Sequence, residues 1–163
     1  MLKKLFMLIV AGFFLASCAA TKTEQGGDVD AASASASSSG GEITAGTQED
    51  LIVNVGDRVF FEFDSSELTV DAQATLDAQA AWLMQYPDTN ITVEGHADER
   101  GTREYNLALG DKRGFSVYSY LAQAGIDTNR MEYVSCCKER PEVIGSDETA
   151  YSQNRRGVTL VSN

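Results

Sequence analysis

The pattern of hydrophobic and polar positions divides the chain into three parts. Two lysines near the start lead into an uncharged apolar run from Leu5 to Ala16, which is typical of a secretory signal. Residues 19–50 follow, and 21 of these 32 positions are Ala, Ser, Gly or Thr, too few large side chains to form a core. All eleven aromatic residues outside the first part lie from Phe60 onward. The predicted parts are a signal peptide (1–17), a flexible linker (18–50) and one folded domain (51–163).

The periodicity within the third part alternates between that of strands and that of helices. Four runs rich in β-branched and aromatic residues predict strands at 59–63, 90–94, 131–136 and 157–161. Helical spacing predicts helices from a cap at Thr69 to Pro87, from a cap at Thr102 to Gly125, and around 148–154. The order β-α-β-α-β-β predicts an α/β two-layer sandwich, a small mixed sheet with the helices packed on one face.

Two glycines on the inner face of the second long helix add a detail to this fold. Gly110 and Gly114 share that face with Leu107 and Val117, although glycine lowers helix propensity. Their presence favours a helix whose backbone lies close against the sheet.

Composition and charge narrow the class of function. Hydrophobic residues are 43% and charged residues 23%, which is typical of a soluble globular domain. The formal charge is −11, and removal of residues 1–17 with their two lysines leaves 11 basic against 24 acidic residues, or −13. Because such a chain repels phosphate backbones, we expect no nucleic-acid partner.

The end of the apolar run indicates a particular kind of processing. Leu15-Ala16-Ser17-Cys18 resembles the lipobox of bacterial lipoproteins, which implies cleavage before Cys18 and attachment of lipid to its sulfur. The residue after it is Ala19 rather than Asp, as in lipoproteins that are sorted to the outer membrane. The alternative is an ordinary signal peptide with a chance cysteine, which would leave the protein free in the periplasm.

A charged loop between strand and helix carries the candidate chemistry. Asn106 and Arg113 are seven residues apart, so they lie on one side of the helix, and the loop with Asp98 begins just upstream. A carboxylate at Asp98 can accept an ammonium group, and a guanidinium at Arg113 can bind a carboxylate with two hydrogen bonds. This pattern fits a zwitterionic ligand. The alternative is a solvated loop with a structural Asp–Arg pair.

Four segments of the domain match one family in order. They are Phe61–Asp64, Val93–Thr102, Glu104–Asn106 and Tyr151–Arg156. Together they resemble the peptidoglycan-associated lipoproteins, a family with an OmpA-like C-terminal domain. The resemblance implies non-covalent binding of the diaminopimelate-containing stem peptide of peptidoglycan by a domain facing the periplasm. It also implies lipid anchoring in the outer membrane through Cys18. As part of the Tol-Pal system, the protein would act in envelope integrity and in outer-membrane invagination during cell division.

The resemblance also assigns residues and partners. It implies that Asp98 receives the ligand ammonium and Arg113 a ligand carboxylate. The other ligand-binding positions are Asp64, Asn106 and the backbone of Leu107, and the supporting positions are Phe63, Arg100, Thr102 and Arg155. The implied protein partners are a TolB-like periplasmic protein and a TolA-like inner-membrane protein. The alternative function is a protein-interaction module for the TolB-like partner, with peptidoglycan binding altered or lost.

One short segment departs from the family pattern. Ser135-Cys136-Cys137-Lys138 stands where the family typically has Ser-Tyr-Gly-Lys. We expect two small, partly buried residues that are tolerated in place. A redox or intermolecular role, or local strain, remains as the alternative.

Metal, cofactor and enzymatic functions are not expected. His96 is the only histidine, and we expect it to be a hydrogen-bonded structural residue. Among Glu94, His96, Asp98 and the two late cysteines, no pair that includes a histidine or a cysteine has the i, i+4 or C-x-x-C spacing of common metal sites. A cell-wall glycosidase pairing Glu94 with Asp98 or Glu99 is the enzymatic alternative, but a single small domain without a lobe for sugars favours ligand capture.

Overall fold

The computed structural model describes residues 43–162. The predicted signal peptide, Cys18 and most of the predicted linker lie outside these residues. The described part forms four helices, four strands and a 3₁₀ turn (Thr128–Arg130). In chain order the helices and strands are α1 (Gln48–Asn54), β1 (Arg58–Phe60), α2 (Val70–Gln85), β2 (Ile91–His96), α3 (Arg103–Gln123), β3 (Met131–Cys137), α4 (Glu148–Asn154) and β4 (Arg156–Val161). None of these helices combines the length and apolar character needed to cross a membrane.

The four strands form one mixed sheet in the order β1-β4-β2-β3. β4 runs antiparallel to both of its neighbours, whereas β2 and β3 are parallel and are connected through α3. α2 and α3 contribute large aliphatic side chains to the same core as β1 and β2. The predicted α/β sandwich is therefore confirmed, with the two long helices on one face of the sheet.

The starts of the long helices follow local sequence signals. Thr69 and Thr102 cap α2 and α3, and their side chains accept hydrogen bonds from the backbone N–H groups of Ala72 and Tyr105. Each cap satisfies a donor that the first helical turn leaves free. Both predicted caps are confirmed.

The first predicted strand is shorter than expected. Pairing with β4 ends at Phe60, and Phe61 keeps one backbone bond, from its N–H to the carbonyl of Arg155 (2.9 Å). The chain then turns at Asp64, whose φ of 54° lies in the left-handed region. Residues 61–64 thus leave the sheet and form a loop beside the site described below.

The sequence did not predict α1. Thr47 caps this helix, Leu51 is fully buried, and Asp50 accepts a hydrogen bond of 2.9 Å from Nε1 of Trp82. The predicted domain boundary at Leu51 therefore falls inside α1. The Gln48 side chain also joins the start of the described domain to its end, because its amide bonds the N–H of Val161 (2.7 Å) and the carbonyl of Thr159 (3.3 Å).

The backbone of α3 touches the sheet at Gly95 and Gly110. A Cβ atom added at Gly95 would lie 1.9 Å from the carbonyl oxygen of Gly110, and one added at Gly110 would lie 2.4 Å from Oγ of Ser135. At Gly114 the shortest such distance is 3.4 Å, an ordinary contact. The predicted close approach is confirmed at Gly110, while Gly114 leaves room for a methyl group.

Candidate functional site

A cavity of about 160 Å³ opens where β2 ends and α3 begins. Three chain segments surround it: the loop after β1, the loop after β2, and the first half of α3. The lining residues are Phe63, Asp64, Asp98, Arg100, Gly101, Tyr105, Asn106, Leu109 and Arg113. The cavity thus brings together Asp64, Asp98, Asn106 and Arg113, four of the five predicted ligand-binding residues.

Asp98 is a buried carboxylate that two arginines hold in the charged form. It accepts bonds from Nη2 and Nε of Arg100 (2.6 and 3.2 Å) and from the Arg100 backbone N–H (3.1 Å), and Nη1 of Arg155 lies 3.5 Å away. Burial is the largest single effect and opposes ionisation. The bonds and charge of Arg100, with the bond from Arg155, outweigh it and lower the pKa of Asp98.

Arg100 lies between two aromatic rings. Its guanidinium carbon is 4.2 Å from the ring centre of Phe63 and 4.3 Å from that of Tyr151. Cation–π contacts of this kind hold a guanidinium in place without using its N–H groups. Arg100 is therefore free to orient the Asp98 carboxylate at the cavity wall.

Arg113 is a fully buried cation in the lining of the cavity. Its guanidinium donates to the backbone carbonyls of Ser65 (2.8 Å), His96 (2.8 Å) and Glu62 (3.1 Å). Burial, then the nearby charge of Arg155, lowers its pKa to about 10. Among the described residues no carboxylate forms an ion pair with Arg113. Three of the five N–H donors of an arginine are thus used, and the positive charge is not directly neutralised.

The mouth of the cavity is formed by exposed residues. Asp64 accepts a hydrogen bond from the hydroxyl of Tyr105, and the residues Phe63 and Tyr105 are 59% and 50% exposed. Asn106 lies deeper and donates to the carbonyl of Arg100 (2.7 Å), which fixes the loop after β2. The site therefore combines a polar floor with an aromatic rim.

Three other predicted site residues lie outside the cavity lining: Leu107, Thr102 and Arg155. Leu107 is not part of the lining, and its carbonyl accepts a bond from Oγ of Ser135 (2.8 Å). Thr102 caps α3, and Arg155 lies behind Asp98, where it also bonds the carbonyl of Phe61 (3.1 Å).

Three lining residues were not assigned from sequence: Gly101, Tyr105 and Leu109. Tyr105 lies within a matched family segment, but its role depends on the neighbouring loop that carries Asp64. Leu109 reaches the cavity from α3 at a position that gives no chemical signal.

Comparison with known proteins identifies relatives of this chain. Residues 60–155 match the OmpA family. The peptidoglycan-associated lipoprotein of Rhizobium meliloti (strain 1021) is 54% identical over 121 residues, which cover 74% of this chain and 69% of that protein. The one of Mesorhizobium japonicum is 46% identical over 154 residues, covering 94% of this chain and 89% of that protein. The chain belongs to the peptidoglycan-associated lipoproteins of the OmpA family.

Solved structures agree with this membership. The crystal structure of the peptidoglycan-associated lipoprotein from Burkholderia pseudomallei superposes with a TM-score of 0.63 at 42% identity, covering 65% of this chain and 90% of that chain. The C-terminal domain of Helicobacter pylori MotB shares the fold, with a TM-score of 0.60 at 22% identity over 66% of this chain and 86% of that chain. Membership of the peptidoglycan-associated lipoproteins therefore agrees with both the matched sequence segments and the observed fold.

His96 does not have the hydrogen bonds that the sequence led us to expect. Its side chain is 2% exposed, yet neither ring nitrogen has a hydrogen-bond partner of good geometry within residues 43–162. Burial, then the positive charge of Arg156, lowers its pKa to about 4, so the ring is neutral at physiological pH. His96 is therefore buried as expected of a structural residue, but its expected hydrogen bond is reduced to an approach of 3.3 Å between Nε2 and a carboxylate oxygen of Glu94.

Proposed function

We propose that this domain binds peptidoglycan non-covalently, and that its cavity takes the diaminopimelate end of the stem peptide. The names of its close relatives associate those proteins with peptidoglycan. Diaminopimelate presents an ammonium and a carboxylate on one carbon. Those two charges match the carboxylate of Asp98 and the guanidinium of Arg113 in the cavity lining.

The observation that carries the proposal is the buried, unneutralised charge of Arg113. A buried cation without an anionic partner is costly, and here three carbonyl dipoles are its direct compensation. A ligand carboxylate in the cavity would be attracted by this charge, and two N–H groups of the guanidinium are not used by those carbonyls. The gain from neutralising Arg113 therefore favours an anionic group at the cavity floor.

The remaining lining residues complete the recognition. Asp98, kept ionised by Arg100, accepts the ammonium, while Asp64 adds a second negative charge at the mouth and Asn106 fixes the loop between them. Arg100 and Arg155 position Asp98, and Thr102 begins the helix. Charge-assisted hydrogen bonds contribute about 1.5–3 kcal/mol each, so two or three support a roughly micromolar complex after ordering costs.

Binding without catalysis fits the electrostatics better than glycoside hydrolysis. A general acid needs a raised pKa, but the pKa of Asp98 is lowered by its arginines. Glu94 and Glu99, the other carboxylates considered for such an enzyme, are not in the cavity lining, and Glu94 is paired with Arg140 at 2.8 Å.

Calorimetric titration tests the proposal. The chain without residues 1–18 is titrated with soluble muropeptides that carry either diaminopimelate or lysine. We expect selective binding of the diaminopimelate form, weakened about 10- to 100-fold by Asp98→Asn, which removes one charge and keeps the shape. Asp111→Asn is the matched control, because Asp111 is an exposed acid of α3 outside the cavity lining.

The role of Arg113 needs a separate check, because its substitution also removes three bonds to the backbone. Arg113→Lys keeps the charge but not the planar donor, so we expect weaker binding from a domain whose circular dichroism is unchanged. No heat with either muropeptide, from a folded wild-type domain, would reject the proposed ligand.

The proposal extends to the place of the protein in the envelope. Lipid on Cys18 would hold the chain in the outer membrane, with the domain in the periplasm bound to the cell wall. As part of a Tol-Pal system it would meet a TolB-like periplasmic protein and a TolA-like inner-membrane protein while the outer membrane is drawn inward at division. Mass spectrometry of the mature N-terminus tests the anchor, since an unmodified Cys18 contradicts it.

A protein-interaction module is the second candidate function. The exposed rings of Phe63 and Tyr105 at the cavity mouth favour it, because aromatic residues are enriched at protein interfaces. If a TolB-like partner covers this rim, it competes with muropeptide for one surface. Additive binding of the two would instead place the partner elsewhere.

A further inference from the structure

A second cluster of chemically active side chains lies on the sheet face that α2 and α3 leave uncovered. Glu94 and His96 are on β2, and Cys136 is on the neighbouring strand β3. The parallel pairing shifts between Gly95 and His96, so that His96 pairs with Cys137 and Cys136 is the extra residue of a bulge. Because of this shift, Cys136 stands beside Glu94 and His96.

The two cysteines have different surroundings. Sγ of Cys137 lies 3.3 Å from the carbonyl of Arg103 in α3, whereas Cys136 is in contact with Arg140 on the other side, at 3.7 Å. Burial, then the charge of Glu94, raises the pKa of the Cys136 thiol to about 11. A raised pKa makes a thiol a poor nucleophile, which argues against the redox role considered from sequence.

The three side chains offer one nitrogen, one sulfur and one oxygen at short range. Their potential ligand atoms all lie within 4.8 Å of one another. Ligands of a tetrahedral zinc ion are about 3.5 Å apart, so side-chain movements of about 1 Å would close the remaining gap. A glutamate and a thiolate would together balance the two charges of the ion.

The surroundings of His96 give a separate reason to expect a bound ion at this cluster. The ring is almost completely buried, and in the described part of the chain neither nitrogen has a hydrogen bond of good geometry. Nε2 nevertheless lies 3.3 Å from a carboxylate oxygen of Glu94, so the ring edge is directed into the cluster. A buried imidazole whose nitrogens lack good hydrogen bonds is destabilising unless something binds them.

Arg140 occupies the space next to these ligands. Its guanidinium is 2.8 Å from Glu94 Oε1, and its side chain is 68% exposed. An exposed arginine can move into solvent at little cost, so it would compete with a cation without blocking the site permanently.

We propose that Glu94, His96 and Cys136 form a binding site for a Zn²⁺ ion, with Arg140 as the competing occupant of the same space. Imidazole and thiolate suit borderline-soft metals, so the site is expected to prefer Zn²⁺ over Mg²⁺. On binding, the Cys136 thiol becomes a thiolate and its proton passes to the solvent. The site is on the opposite side of β2 from α3, and no residue of it lines the peptidoglycan cavity.

Titration of the full chain with Zn²⁺ alone tests the proposal. Every variant carries Cys18→Ser, so that Cys136 and Cys137 are the only thiols. We expect one ion per chain, and at least about tenfold weaker binding in Cys136→Ser and in Glu94→Gln. Cys137→Ser is the matched control and should bind within about twofold of the parent. Arg140→Gln should bind several-fold more tightly, because the competing charge is gone.

Cobalt gives a readout that a change in folding would not imitate. Co²⁺ bound through sulfur has a thiolate-to-metal charge-transfer absorption, which should be present in the parent and in Cys137→Ser and lost in Cys136→Ser. Stoichiometric Zn²⁺ binding that survives both Cys136→Ser and Glu94→Gln would overturn the proposal. So would the absence of Zn²⁺ binding from the folded parent and from Arg140→Gln.

Discussion

The contact between Gly95 and α3 gives the sharpest test of how the domain is packed. In Gly95→Ala the new Cβ would lie 1.9 Å from the Gly110 carbonyl oxygen and 2.7 Å from the Gly114 nitrogen. Both are backbone atoms, so no side-chain rotation relieves the clash. Since real Cβ atoms stay at least 3.0 Å from such neighbours, α3 and β2 must separate by 3.0 − 1.9, or 1.1 Å.

The cost of that separation follows from the packing of α3 on the sheet. A gap of 0.5–1 Å already forfeits about a quarter to a half of each van der Waals contact across it. Overpacking costs about 1–3 kcal/mol where side chains can adjust. Here only backbone can move, so we expect a loss of about 4 kcal/mol or more, a large share of the 5–15 kcal/mol typical of a domain.

Guanidinium unfolding, followed by circular dichroism and Trp82 fluorescence, measures this loss. Gly114→Ala is the matched control, because its Cβ would meet its nearest neighbour at 3.4 Å and alanine has the higher helix propensity. We expect the control to be as stable as the parent or more so, by up to about 1 kcal/mol. If Gly95→Ala unfolds within 1 kcal/mol of the parent (roughly the helix-propensity effect), the backbone contact does not set the packing of α3.

Three further predictions follow from individual contacts. Because the pKa of folded Asp98 lies below the unfolded value of about 3.9, its ionised form stabilises the fold above that pH and the contribution is lost as pH falls through the folded pKa. In Asp98→Asn the urea midpoint should therefore fall less steeply than in the parent as the pH is lowered. An equally steep fall would mean that Asp98 does not cause this loss of stability. Cys137 has a φ of 55°, a left-handed conformation that disfavours a β-branched residue and suits glycine. The free energy of unfolding, measured by thermal unfolding, should therefore be about 1–2 kcal/mol lower in Cys137→Val than in Cys137→Gly. Equal values would mean that the backbone relaxes. Asp50→Ala leaves buried Nε1 of Trp82 unpaired and should cost about 1–3 kcal/mol in urea unfolding, whereas an unchanged midpoint would mean that α1 is dispensable.

Local signals explain how much of the fold could be predicted. Helix caps and glycines act through neighbours in sequence, so Thr102 and Gly110 could be interpreted without knowledge of the rest of the chain. Likewise, Asn106 and Arg113 reach one cavity because the helical repeat places them on one side. α1 was missed because it follows an Ala, Ser and Gly-rich stretch and is held by distant partners such as Trp82.

Non-local geometry explains what could not be predicted at the two sites. The burial of Arg113 depends on carbonyl groups of the loop after β1, far away in sequence. The meeting of Glu94, His96 and Cys136 depends on the register of two parallel strands and on a bulge between them. Neither the pairing register nor the bulge leaves a periodic signal in the residues themselves.

The bond from Gln48 to the end of β4 has a mechanical consequence. Val161 pairs with Ile91 at the start of β2, so the N-terminal segment enters the domain at the end of the sheet remote from the cavity, about 20 Å away along a six-residue strand. Tension between that segment and a ligand in the cavity would therefore run along the strands. The hydrogen bonds between β2 and β4 are perpendicular to this direction, so they carry the load in shear and share it, instead of opening one after another. A domain loaded in this way is suited to holding against a sustained pull.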